Sequence, residues 1–95
     1  MPRFREERLV TPISAAELIA AALPTTRIRE GYAVDEVEQF RTLAVRALEQ
    51  REQGYLPMVS ADQVLDVRFR ATSFERGYDQ RAVDALLDRV ALALR

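Results

Sequence analysis

Thr26-Arg27-Ile28-Arg29-Glu30-Gly31-Tyr32 returns 46 residues later as Thr72-Ser73-Phe74-Glu75-Arg76-Gly77-Tyr78. Extended outward without a gap, the same register lays Ile13–Glu49 on Val59–Arg95. Besides Thr26/Thr72, Gly31/Gly77 and Tyr32/Tyr78, the identical pairs are Ser14/Ser60, Ala15/Ala61, Val37/Val83, Ala47/Ala93 and Leu48/Leu94. Apolar character is kept at Ile13/Val59, Leu18/Val64, Ile19/Leu65, Leu23/Phe69, Ile28/Phe74 and Phe40/Leu86. A repeat of this length decides the architecture before any single-residue signal does. One unit is too small to bury its own apolar face, so the copies are expected to pack on each other.

Each copy reads as a short helix, a loop and a longer helix. Ser14 is an N-cap with Glu17 at the reciprocal capping-box position, and Ser60 with Gln63 repeats the arrangement. Leu18, Ile19, Ala22 and Leu23, matched by Val64, Leu65, Arg68 and Phe69, form a stripe over about two turns. Pro24 is expected to end the first short helix, and Arg70 at the matching place to let the second run further. Gly31 and Gly77, at one place in both copies, predict a positive φ that side chains disfavour. Asp79 suits the N-cap of the last helix. Its counterpart Ala33 does not, so the preceding long helix is expected to start at Asp35 or to give up about 1 kcal/mol.

The long helices are marked by Val37, Phe40, Leu43, Ala44, Ala47 and Leu48, up to Gly54, and by Val83, Leu86, Leu87, Val90 and Leu94. Arg41 stands where the second copy has Leu87, which predicts that the two seams differ. Tyr32 and Tyr78 are read as anchors whose rings pack beneath the loops. The expected fold is all-α: tandem short helix–loop–long helix units packed as a pseudo-symmetric helical bundle or short coiled coil, with the helices after Ala33 and Asp79 side by side. Residues 1–10 are read as an N-terminal arm, 11–54 as the first repeat and 55–95 as the second, in one compact domain.

Hydrophobic residues make up 48% and charged residues 31%, the balance of a soluble globular chain rather than a disordered one. Cys and His are both absent. Disulfides and thiolate metal sites are thereby excluded, and the commonest acid/base group and metal ligand is removed. Asp84 and Asp88, one turn apart, read as helix surface, since no His, Cys or Gly-rich phosphate loop joins them. Ser14 and Ser60 read as caps without a base to activate them. No enzyme, metal or cofactor is expected. The net charge of −1 argues against nucleic acid as a partner. All fourteen basic residues are Arg, which reads first as codon bias, with forked phosphate recognition as the functional alternative. No stretch reaches the roughly 20 apolar residues of a spanning helix, and Met1–Arg8 has no apolar signal-peptide run, so a cytoplasmic location is expected.

Phe74-Glu75-Arg76-Gly77-Tyr78-Asp79, followed by Val83-Asp84-Ala85-Leu86-Leu87-Asp88-Arg89-Val90, resembles the N-terminal domain of the DivIVA family, bacterial proteins of cell division and polar growth. Ile28-Arg29-Glu30-Gly31-Tyr32 with Val37-Glu38-Gln39-Phe40 resembles a more divergent copy, and Leu9-Val10-Thr11-Pro12 is similar to the family's Leu-Thr-Pro opening. The resemblance implies a self-assembling scaffold in which a parallel pair of long helices holds loops against a membrane. An exposed aromatic and a neighbouring Arg would touch lipid there, and the nearest matches are Phe74 and Arg76, with Ile28 and Arg29 in the other copy. Glu75 between Phe74 and Arg76 departs from that pattern. The implied partners are other division or cell-envelope proteins, the anionic inner face of the cytoplasmic membrane and further copies of the chain. Phe74 and Ile28 suit core packing as well as lipid contact, and a helical interaction module without membrane binding stays open beside the scaffold.

Overall fold

A computed structural model describes residues 10–95. The arm residues before Val10, including the stretch Phe4 to Leu9, lie outside it. The described chain runs α1 (Ala15–Ala20), β1 (Thr25–Thr26), β2 (Gly31–Tyr32), α2 (Val34–Glu52), α3 (Ala61–Asp66), β3 (Ala71–Thr72), β4 (Gly77–Asp79) and α4 (Gln80–Leu94). Both short helices start on a complete capping box. Ser14 Oγ accepts from the Glu17 N–H at 3.1 Å, and the Glu17 carboxylate accepts from the Ser14 N–H at 2.9 Å. Ser60 and Gln63 do the same at 3.1 and 2.9 Å. Two orphan donors are satisfied in each box, so a six-residue helix persists where an isolated one would fray.

The short helices end earlier than their stripes suggest. Each closes at an extended residue, Ala21 or Val67, so Pro24 is not the stop for α1, and Arg70 does not lengthen α3. The long helix α2 begins at Val34 with Ala33 as an N-cap lacking a side-chain bond, rather than at Asp35. It closes on a left-handed Gly54, φ 84°. There the Tyr55 N–H reaches Gln50 O at 2.8 Å and the Gly54 N–H reaches Arg51 O at 3.1 Å, the paired bonds of a Schellman stop.

The protein is not all-α, as its sequence pattern suggests, and not a plain helical bundle or coiled coil. Between the short and long helices lies a four-stranded antiparallel sheet in the order β1-β4-β2-β3. Thr25 and Thr26 pair with Tyr78 and Gly77, Gly31 and Tyr32 with Thr72 and Ala71, and Gly31 and Tyr32 also with Asp79 and Tyr78. Every strand therefore bonds only to strands of the other repeat. The ladder continues in the Ala33 N–H to Arg70 O bond at 2.9 Å and its counterpart, the Asp79 N–H to Pro24 O bond at 2.8 Å. The 46-residue shift maps these pairings onto each other, which places a pseudo-twofold axis at the Tyr32/Tyr78 pair, perpendicular to the sheet.

The interlock corrects the expected role of the paired glycines. Neither Gly31 nor Gly77 has a positive φ. A Cβ on Gly31 would lie 2.8 Å from Tyr78 O, and one on Gly77 would run into Thr72 Oγ1 and come within 3.0 Å of Tyr32 O. Close approach of exchanged strands excludes a side chain at both places.

α1 packs on α2, α3 on α4, and the long helices on each other. α2 and α4 leave adjacent central strands, and at their far ends Arg51 Nη2 donates to Arg95 O at 2.7 Å. Their beginnings and their ends are thus both neighbours, so the helices run side by side in one direction. The core lies among Ile13, Leu18, Ala44, Ala47, Leu48, Val64, Val90, Ala91 and Leu94. Ala44, Ala47 and Ala91 alternate with larger Leu and Val on the buried helix sides, and each buried Leu or Val contributes about 1.5–3 kcal/mol. Leu43, Ile19 and Leu65, counted with the stripes, face solvent instead.

Candidate functional site at the loop tips

β1 and β2 each run antiparallel to β4, which lies between them, so residues 27–30 must cross over β4 to join them. Residues 73–76 cross β2 in the same manner. An axis perpendicular to the sheet preserves its faces, so both crossing loops stand on one face. All eight loop residues are exposed. Ile28 is 89% exposed and Phe74 90%, which overturns core packing for both.

Phe74 is also the one non-glycine residue with positive φ, 57°, among the described residues. The left-handed region costs a residue with a Cβ about 1–2 kcal/mol, and leaving the ring in water forgoes about 1.5–3 kcal/mol of burial. Ile28 carries only the second.

Apart from Ser73, the remaining tip residues are charged. Arg29 places Nη2 3.5 Å from Asp79 Oδ1, while its N–H donates to Thr26 Oγ1 at 3.2 Å. Glu75, the residue that separates Phe74 from Arg76, is held 3.2 Å from Arg70. Among the described residues Arg27 and Arg76 have no ion-pair partner. The tips thus offer two large apolar groups set among three guanidiniums and two carboxylates.

Beneath the loops, Tyr32 and Tyr78 tie the sheet to the helices in a crossed pattern. The Tyr32 hydroxyl donates to Asp84 Oδ1 on α4 at 3.0 Å, and the Tyr78 hydroxyl donates to Glu38 Oε2 on α2. Asp84 and Glu38 are themselves repeat-equivalent, a correspondence visible in the aligned copies but passed over when Asp84 is read as plain surface. Both phenols are pushed above their ordinary range: Tyr32 by burial and then by the Asp84 hydrogen bond, Tyr78 by the Glu38 hydrogen bond and then by burial. The Tyr32 ring meets Phe69 at 5.4 Å, and Phe69 meets Phe40 edge-on at 6.0 Å, an aromatic underlay for the tips. Asp79 serves both levels, since its Oδ2 caps α4 at the Ala82 N–H, 3.0 Å away, while Oδ1 faces Arg29.

No family model, curated protein or solved structure matches the chain. No helix among the described residues is long and apolar enough to cross a membrane. No three His, Asp or Glu side chains among them are grouped so as to hold a metal ion.

Proposed function

We propose that this chain is a non-enzymatic, DivIVA-like scaffold module of bacterial cell division or polar growth, which attaches to the anionic inner face of the cytoplasmic membrane through the paired loop tips. The observation that carries this reading is Phe74, an aromatic 90% exposed on a left-handed backbone at a loop tip, with Ile28 as its counterpart on the same face. Strain and exposure that do not serve the fold are a mark of function. Two partly inserted apolar side chains and a tip charge of +1, from Arg27, Arg29 and Arg76 against Glu30 and Glu75, give reversible binding that strengthens when several copies assemble.

Co-sedimentation with phosphatidylglycerol vesicles tests the proposal. The chain pellets with anionic vesicles and not with phosphatidylcholine, salt releases it, and Phe74→Ser and Arg76→Glu lose binding without loss of helicity. A folded chain that ignores anionic vesicles refutes membrane attachment. One observation favours a second reading, a helical interaction module without lipid contact: the linker between the repeats exposes Tyr55, Met58 and Leu56, the last at 92%. Vesicle binding that survives in Phe74→Ser and Arg76→Glu removes the loop tips from the contact, and no vesicle binding by the folded native chain favours the second reading.

A further inference from the structure

The repeats differ at one place where the first holds a cation and the second does not. Arg41 on α2 lays its guanidinium against the C-terminal end of α1, with Nη1 donating to Leu18 O at 2.9 Å and to Ala21 O at 2.6 Å. Nη2 donates to Glu38 Oε2 at 3.1 Å and Nε lies 3.0 Å from Glu38 Oε1, and the side chain is only 14% exposed. In the second repeat Leu87 stands at this position, Asp84 replaces Glu38, and the matching carbonyls are those of Val64 and Val67, the latter shared with Arg68 Nη1 at 3.1 Å. Asp84 accepts the Tyr32 hydroxyl as Glu38 accepts that of Tyr78. Among the described residues no cation pairs with Asp84 or Asp88.

A hollow of about 340 Å³ opens where the guanidinium would be, bordered by Tyr32, Leu65, Arg68, Asp84, Leu87 and Asp88. In the first repeat the corresponding hollow is about 250 Å³ and is bordered by Ile19, Arg41, Thr42 and Val45, with the Glu38 carboxylate paired to the guanidinium. Arg68 does not fill the second hollow as Arg41 fills the first. Its Nη1 donates to Asp66 O at 3.0 Å and Val67 O at 3.1 Å, leaving two carboxylates on the rim against one engaged cation.

We propose that this hollow between α3 and α4 binds a guanidinium group, delivered by an Arg side chain of a partner protein and held as the first repeat holds its own Arg41. A planar fork can donate to a carboxylate and to helix-end carbonyls together, which a point-like ammonium does less well. The apolar border of Leu65 and Leu87 suits the methylene stem of such a side chain. The site is independent of the loop tips and does not rest on membrane attachment.

Titration of the full chain with N-acetyl-arginine-methylamide, followed by amide NMR shifts, tests it. Saturable shifts are expected at Leu65, Asp84 and Asp88, with the lysine analogue and free L-arginine each binding about fivefold more weakly. Asp88→Asn, at an exposed position, weakens binding by a similar factor. Leu87→Arg abolishes it by supplying the guanidinium from within, and circular dichroism verifies that both variants are folded. Absence of shifts, shifts elsewhere, equal binding of the lysine analogue, free arginine binding as well as the blocked form, or indifference to both substitutions overturns the proposal.

Discussion

Phe74 places a bulky ring in solvent on a left-handed backbone, and its replacement separates folding from function. In Phe74→Gly the backbone strain of about 1–2 kcal/mol disappears, while the freer unfolded chain takes back part of it. Chemical denaturation is expected to show the variant more stable than the native chain by about 0.5 kcal/mol, with vesicle binding lost. Phe74→Ala keeps the Cβ at positive φ and gains no such stability. The opposite holds at Gly77, where an added methyl meets the Thr72 side chain of its own repeat and the Tyr32 carbonyl of the other. Gly77→Ala is expected to destabilise by about 2 kcal/mol in the same assay, within the usual range for overpacking a tight site.

At the level of elements, the crossed tyrosines fasten each helix to the strand of the other repeat. Both phenols have folded-state values raised above those of the unfolded chain. Below the unfolded value of about 10 both states are neutral and the stabilisation is complete; as pH rises further the unfolded chain ionises first, and the contribution fades through the folded values. Thermal melts are therefore expected to fall above pH about 10, and Tyr32→Phe and Tyr78→Phe each to flatten that fall. Glu17 acts at the other extreme, its carboxyl lowered chiefly by the Ser14 backbone hydrogen bond, so its cap support is present above the ordinary carboxylate range and wanes in acid. Much at this scale was legible from local pattern: Ser14 with Glu17, Ser60 with Gln63 and the apolar spacing of both long helices are short-range signals. The strands were not, because segments of two or three residues carry no alternation to read and their partners lie in the other copy. The same long-range pairing is why Gly31 and Gly77 read as positive-φ positions in the sequence, where the structure has a close approach. At the candidate site the repeat singled out Phe74, Ile28 and the two tyrosines, whereas matched apolar type could not tell an exposed tip from a core position.

For the whole molecule, the exchange of strands makes each repeat incomplete without the other. Cut apart, β1 and β2 lose every ladder partner, because they bond only to β4 and β3. The long helices lose their facing seam, and both loop tips lose the sheet that carries them. A single chain built this way fixes two tips at a set relation on one face. The measurement that tests this interlock most directly is the folding of the separate halves, residues 1–54 and 55–95, by circular dichroism and light scattering, alone and mixed in equal amounts. Neither half is expected to be a folded monomer, and the mixture is expected to recover the helicity of the intact chain as a one-to-one complex. Two halves that fold alone as monomers, with melting temperatures equal to that of the whole, would contradict it.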